Sequence, residues 1–307
     1  MIAEKIIEKE KITDYILVYY YITENEKVLH YYKRLAAKAN HAFLVKKQNT
    51  LLRTAVAPLF VSRKLKRCFS PDGIVYCGNI KTIYTRLPIY LSKCNNLHSF
   101  DDGIGNVLGQ GYFYQDRQPG MINRLARKVG IDFSYSYIYG LIKKHYTIYH
   151  APNAMPHCEY ISVFNFESDV TSALTDEVAV LLTSTNFEDG IMTLEQEIQL
   201  YGEVIKIFNV RYVIPHPLEQ KPKVTDDSVK IITSHEIAEE IVMDLRKKYK
   251  KILVLAWYSS ALIHLSEVEG ITAINIDFEG SSLMDIPKAF FESQNVKTYI
   301  PVNGRTI

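Results

Sequence analysis

Asp101 and Asp102 stand side by side, followed by Gly103, Ile104, Gly105 and Asn106. A carboxylate held against a hydroxyl is a competent general base, and glycines let the backbone turn without a Cβ clash. The same run of Asp and Gly also suits a plain turn or helix cap. It does not complete a dinucleotide fingerprint, because Leu108 stands where G-x-G-x-x-G needs Gly, and NAD binding is disfavoured. Further on, His216 lies between Pro215 and Pro217. Two prolines keep it out of a helix interior and stiffen its backbone, which suits a ring held toward a ligand and equally a rigid solvent-facing loop. Ser259 and Ser260 follow an apolar strand and open a helix. Free N–H groups, the helix dipole and two hydroxyls make an anion site suited to one phosphate; a simple Ser N-cap is the competing explanation.

Two other segments fit the same chemistry. The polar loop Thr183-Ser184-Thr185-Asn186-Phe187-Glu188-Asp189-Gly190 follows a strand, where such loops meet nucleotides. Glu236 could accept from ribose hydroxyls or serve as an early-helix carboxylate. The chain has no D-x-D triplet and no Cys/His cluster, which favours a metal-independent reaction with a nucleotide monophosphate leaving group.

The elements that must carry these residues alternate. Strands are predicted at Tyr15–Ile22, Ala42–Val45, Gly73–Cys77, Leu97–Phe100 and Tyr146–Tyr149. A second series covers Val178–Leu182, Tyr212–Ile214, Val229–Thr233, Lys251–Ala256 and Ile271–Ile276. Helices are predicted between them, among them Ala3–Glu10, Asn25–Ala39, Thr50–Leu65, Ile80–Lys93, Met121–Val129, Tyr135–Lys144, Thr193–Phe208, Glu236–Tyr249 and Ser260–Glu267. Short apolar strands interleaved with helices imply parallel sheets buried on both faces, and ligands bind beyond the carboxyl ends of such strands. Two series imply two Rossmann-like domains, residues 1–156 and 157–307.

The composition is that of an ordinary globular chain: 307 residues, 47% hydrophobic, 23% charged and a formal charge of +2, which excludes a disordered scaffold and argues against nucleic-acid binding. The 22 tyrosines suit half-wet sugar clefts, but also plain packing. Cys68, Cys77, Cys94 and Cys158 lack metal-ligand spacing and read as idle thiols in a reducing compartment. With no membrane span and no signal-peptide pattern, a cytoplasmic location is expected. The basic stretch Arg63, Lys64, Lys66 and Arg67 suits either a solvated helix end or peripheral contact with an anionic inner membrane.

The order D-D-G, H-P, S-S, with Leu181-Leu182-Thr183 through Glu188-Asp189-Gly190-Ile191 and the Tyr201-Gly202-Glu203 helix, resembles glycosyltransferase family 52. That family includes bacterial lipooligosaccharide and capsule sialyltransferases. The resemblance runs from about Tyr15 to the C-terminus. It implies a GT-B architecture of two Rossmann-like domains facing a cleft, an acceptor-side domain followed by a donor-binding domain. It also implies inverting, metal-independent transfer of sialic acid from CMP-sialic acid to a galactose-terminated, lipid-linked glycan. Asp101 would be the general base, with Asp102, Glu188 and Asp189 as alternatives and Gly103 and Asn106 beside the acceptor. His216 would protonate or hydrogen-bond the departing phosphate. Ser259 and Ser260 would hold it, Glu236 would bind ribose, and Pro217, Thr183 and Ser184 would line the donor site. A homodimer is compatible with this reading. Rossmann halves normally open with a strand, so the helix-like Ile2–Glu8 raises the expectation that the first strand of the N-terminal domain is missing. A UDP-hexose transferase and an inactive, truncated sugar- or nucleotide-binding homologue are the rival readings.

Overall fold

The structure, a computed structural model, describes residues 1–47, 59, 61–63, 65, 72–107, 121–128, 130–163, 175–277 and 288–300. Of the helix expected over 50–65, residues 59, 61–63 and 65 are described and helical; the rest of it, Leu108, and Lys64, Lys66 and Arg67 of the basic stretch lie outside the described residues.

The chain divides into two compact units, Met1–Val163 and Phe164–Ile307. The boundary falls later than the 156/157 position suggested by the Pro-containing stretch. The strand Cys158–Tyr160 pairs with its predecessor and so belongs to the first unit.

The first unit opens with α1 (Ile2–Lys9), β1 (Ile16–Tyr21), α2 (Glu26–Ala36) and β2 (His41–Lys46). β1 and β2 form a parallel pair. The Asn25 side chain caps α2 by accepting from the Val28 N–H, satisfying one of the four donors a helix start leaves open. The second sheet is built from β3 (Val75–Cys77), β4 (Leu97–Phe100), β5 (Ile142–Thr147) and β6 (Cys158–Tyr160), parallel and in that order. Between them come α3 (Ile83–Ser92), a short 3-10 turn (Ile104–Asn106), α4 (Met121–Lys128) and α5 (Tyr135–Gly140). Leu97, Ile138 and Ile142 are fully buried in one cluster with Cys77, Cys94 and Tyr135, so both cysteines are core residues. β5 starts at Ile142, inside the span whose periodicity suggested a helix to Lys144. The helix stops at Gly140, and Lys143 is exposed and Lys144 half-buried while His145, Tyr146 and Thr147 are buried.

The second unit is a six-stranded parallel sheet in the order β12-β11-β10-β7-β8-β9. Its strands are β7 (Thr175–Leu182), β8 (Val210–Ile214), β9 (Lys230–Ile231), β10 (Tyr249–Ala256), β11 (Ile271–Ile276) and β12 (Lys297–Tyr299). The helices are α6 (Leu194–Phe208), α7 (Ala238–Arg246), α8 (Ser260–Ser266) and α9 (Lys288–Ser293). α6 starts with a reciprocal capping box between Thr193 and Gln196. It buries Leu200, Tyr201, Val204 and Ile205 against Ala179, Leu181 and Val213 of the sheet. Val180, Leu181, Val254, Leu255 and Ile276 are essentially inaccessible, as strands covered on both faces require. Both units therefore have the predicted parallel α/β, Rossmann-like form, and in both the candidate site residues fall at carboxyl ends of strands.

Candidate active site

In the first unit, β4 delivers Asp101 and Asp102 into opposite surroundings. Asp101 continues the strand ladder, its N–H donating to the Tyr146 carbonyl, and its side chain is 1% exposed. One carboxylate oxygen accepts from Asn106 Nδ2 at 3.0 Å and Asn153 Nδ2 at 3.4 Å, and pairs with His145 Nε2 at 3.0 Å. The other accepts from the Ile148 N–H at 2.9 Å. Burial works to raise this carboxyl, but His145, Asn106 and the Ile148 N–H outweigh it and hold Asp101 below the ordinary aspartate value. His145 is itself fully buried, and its Nδ1 lies 2.8 Å from the Ser99 hydroxyl. Both ring nitrogens of His145 thus have a partner, Nε2 the Asp101 carboxylate and Nδ1 the Ser99 hydroxyl. This assembly ties β4, the turn after it, β5 and the 148–153 loop together. It leaves Asp101 with its oxygens occupied, its proton affinity lowered and almost no accessible surface.

One residue on, the chain leaves the sheet. Gly103 adopts φ +86, a left-handed conformation that a side chain would strain, and the turn brings Asp102 to the surface. Asp102 accepts from Asn79 Nδ2 at 2.9 Å. Together with Asn79, Lys81, Asn106, Tyr135 and Met155 it lines a cavity of about 170 Å³ at the carboxyl ends of β3 and β4. Burial in this cavity pushes the Lys81 ammonium down to about 8. Amides, a carboxylate, an ammonium and an aromatic ring form a polar lining with one flat apolar wall, the chemistry a sugar ring presents in complement.

In the second unit, Thr183 and His216 are joined directly. Thr183 follows β7, His216 follows the adjacent β8, and the His216 N–H donates to the Thr183 hydroxyl oxygen at 3.0 Å. His216 Nδ1 accepts from the Leu218 N–H at 3.2 Å. A ring nitrogen that accepts from an amide carries no proton, so the neutral ring holds its proton on Nε2 and is set to donate there. Pro217 is exposed in the same turn.

The polar loop after β7 is bound up in a buried network. Lys223, 2% exposed, donates from Nζ to the Ser184 carbonyl and lies 2.6 Å from Glu188, 2.8 Å from Glu197 and 3.8 Å from Glu219. Glu197 also accepts from the Phe187 N–H, the Tyr201 hydroxyl and Ser184 Oγ. Ser184 therefore faces this network. Burial tends to raise Glu188, but the Gln220 N–H and Lys223 prevail and lower it. As an ion-paired structural carboxylate, Glu188 is a poor base. Asp189 is exposed and accepts from Thr185 Oγ1 at 2.6 Å.

Ser259 and Ser260 are half-buried after β10, and Ser259 caps α8 by accepting from the Ala261 N–H at 3.3 Å. Tyr258 precedes them in a left-handed conformation, φ +41, with its N–H given to Asn275 Oδ1. Because β7 lies between β8 and β10, the Thr183, His216 and Ser259 loops leave the sheet side by side. Glu236 lies after the edge strand β9 and outside α7, which begins at Ala238 with Ile237 as its cap. It is not an early-helix carboxylate; it sits in the half-buried turn that carries the chain from β9 toward β10.

Sequence reasoning did not single out Ser99, His145, Asn153, Asn79 and Lys81 in the first unit, or Glu197, Glu219 and Lys223 in the second. Glu197 had a signal: it occupies the position where the α6 stripe of Leu200, Tyr201 and Val204 calls for an apolar residue. Among the described residues no three His, Cys, Asp or Glu side chains converge as a metal-binding group. Also among the described residues, no helix is long and apolar enough to cross a membrane.

The sequence profile of glycosyltransferase family 52 matches residues 13–278. A CMP-N-acetylneuraminate:beta-galactoside alpha-2,3-sialyltransferase of Pasteurella multocida (strain Pm70) is 30% identical over 289 residues, covering 91% of this chain and 89% of that protein. An N-acetyllactosaminide alpha-2,3-sialyltransferase of Haemophilus influenzae (strain ATCC 51907 / DSM 11121 / KW20 / Rd) is 27% identical over 214 residues, covering 67% and 66%. Among solved structures, the S. aureus MnaA–UDP co-structure matches with a TM-score of 0.50 at 12% identity, covering 93% of this chain and 83% of that one, a likeness of fold alone.

Proposed function

Since the chain belongs to glycosyltransferase family 52, we propose that it is a sialyltransferase, moving sialic acid from CMP-sialic acid to a galactose-terminated glycan with inversion and without a metal. The observation that carries this reading is the 30% identity, over nearly the full length of both chains, to a protein whose name states that donor and a β-galactoside acceptor.

The first unit supplies the acceptor side, with Asp102 as the base in place of Asp101. Asp102 is exposed at a polar cavity, whereas Asp101 is buried beneath it under four donors. Asp102 takes the proton of the acceptor hydroxyl as that oxygen attacks the anomeric carbon of sialic acid. The bond from that carbon to the phosphate oxygen breaks, and its electron pair leaves with CMP. Attack opposite the leaving group inverts the anomeric centre.

The second unit handles the leaving group. His216 donates from Nε2 to the phosphate oxygen on which charge develops, while Ser259 and Ser260 hold the phosphate. Glu236 accepts from the ribose, and Thr183 and Pro217 keep the His216 turn in place. The acceptor belongs to a bacterial surface glycan, lipooligosaccharide or capsule, made at the inner face of the inner membrane.

CMP-sialic acid and UDP-hexoses, each incubated with lactose with and without EDTA, test the proposal. Release of CMP that depends on lactose and survives EDTA is expected. Hexose transfer from a UDP donor would assign the chain to the other chemistry, and CMP binding by calorimetry without turnover would make it a binding homologue.

A further inference from the structure

Lys223 is a fully buried ammonium that the proposed mechanism does not use, and it joins three segments of the second unit. It bonds to the Ser184 carbonyl and Glu188 in the loop after β7, to Glu197 on α6, and faces Glu219 in the loop after β8. Two further bonds run between the same loops. Gln220 N–H donates to Glu188 Oε1 at 2.9 Å, and His216 N–H donates to Thr183 Oγ1 at 3.0 Å. The Ser184 carbonyl that accepts from Lys223 belongs to the residue next to Thr183, and the Glu219 N–H donates to the His216 carbonyl at 3.1 Å. A continuous chain of contacts therefore runs from Lys223 through Ser184 and Thr183 to the backbone of His216.

Taking an ammonium and two carboxylates fully out of water is costly, and well-packed apolar residues often replace such groups without loss of stability. A buried charge cluster is better accounted for by the geometry it enforces. The 215–223 segment is a loop with Pro215, Pro217 and Pro222 and little regular hydrogen bonding of its own, so its shape must be imposed from outside.

We propose that Lys223 is a positioning residue for the transfer reaction: its cage of Glu188, Glu197 and Glu219 locks the loop after β8 onto the loop after β7, and thereby fixes the ring orientation and tautomer of His216. The catalytic part of this inference rests on His216 acting on the leaving group. The ion pairs support it, since burial depresses the Lys223 ammonium yet Glu188 and Glu197 more than restore it, keeping the cage charged.

The test is a double-mutant cycle with a structural readout. Lys223→Met is expected to lower kcat for CMP release roughly 10- to 100-fold, the scale of a misplaced catalytic group, with a smaller change in KM. In a His216→Ala background the same change should cost almost nothing further, because a residue acting through His216 has nothing left to act on. Nitrogen shifts of the His216 ring should report the Nε2–H tautomer in the native protein and a mixture in Lys223→Met, with Lys223→Arg restoring most of both signals. Where Lys223→Met does not fold, Glu219→Gln takes its place in the cycle, with a smaller loss in the same direction. Full additivity of the two losses, or an unchanged tautomer with native kcat, would overturn the proposal. An active His216→Ala with a disturbed tautomer in Lys223→Met would remove His216 from the mechanism while leaving the positioning role intact.

Discussion

The strand ends of the two units each contain a buried carboxylate set under a more accessible residue, but they hold it by different means. In the first unit Asp101 is held by two amides, a backbone N–H and a histidine. In the second, Glu188 and Glu197 share one ammonium, with Glu219 at a longer distance. Hydrogen bonds are directional and fix a turn residue by residue, so the first arrangement defines where the backbone leaves β4 and where Asp102 emerges. Ion pairs act over a longer range and tolerate angular error, so the second suits two loops that must be drawn together. The first site should therefore fail by losing one specific donor, the second by losing net charge.

The sharpest way to break this comparison is to exchange the roles of the adjacent aspartates. Asp102→Asn should lower kcat by about 10²- to 10⁴-fold, the usual worth of a general base, with little change in melting temperature or CMP affinity. Asp101→Asn should chiefly lower stability, since an amide nitrogen would face the Ile148 N–H or the Asn106 and Asn153 donors. Steady-state CMP release and thermal unfolding of both variants decide it; a stable, inactive Asp101→Asn beside an active Asp102→Asn would return the base to Asp101.

On the other unit, His216→Ala should reduce kcat by about 10²-fold, the lower end for an acid whose partner is already a good leaving group. The loss should shrink with a donor whose leaving group is more acidic than CMP, measured as the ratio of native to variant rates. An undiminished ratio would argue that the ring only binds the phosphate.

Acid stability separates the two arrangements further. Asp101 has a folded-state value below its unfolded one, so its contribution is complete above about pH 4 and is lost as pH falls through the folded value. Breaking such a buried pair typically costs roughly 3 kcal/mol near neutrality. Asp101→Asn should show that deficit at pH 7 in urea unfolding and a shallower decline than the native chain below pH 4. Parallel native and variant curves across that range would show that the pair adds nothing to folding.

Much of this architecture is legible in the sequence because apolar strands and helical stripes have strong periods. Leu97–Phe100 and Ile271–Ile276 match their observed strands residue for residue, and the helix expected over Thr193–Phe208 is α6 with Thr193 as its cap. β5 was legible only in part, as a strand over Tyr146–Tyr149, because Lys143 and Lys144 interrupt its alternation and the tyrosines before it suit a helix stripe as well as a strand. The site was legible as loops and not as atoms. Nothing in D-D-G distinguishes the aspartate that stays in the ladder from the one that turns out; the distinction comes from Tyr146 on a strand 45 positions away accepting the Asp101 N–H. Lys223 was hidden for a related reason. A lysine in a polar, proline-containing loop reads as solvated, and only the folding of α6 and two loops around it removes the water.

The smallest effect expected probes the third member of the cage. Burial pushes the Glu219 carboxyl up to about 7, against the pull of Thr183 and Lys223 and with Glu197 and Glu188 adding to the rise. This is the reverse of Asp101: the folded value lies above the unfolded one, so the folded chain binds the extra proton between about pH 4.5 and 7. Glu219 therefore costs stability as pH rises through that window, and the cost is full above it. Glu219→Gln keeps the shape and removes the cost, and should leave stability almost unchanged at pH 5 while raising it by about 2 kcal/mol at pH 8. The same variant is expected to lose some turnover through the His216 loop, so the two measurements move in opposite directions. Urea unfolding at the two pH values checks it. A Glu219→Gln protein less stable than native at pH 8 would mean that Lys223 needs all three carboxylates ionised, making the cage a fully paired cluster that gives up no charge to proton binding.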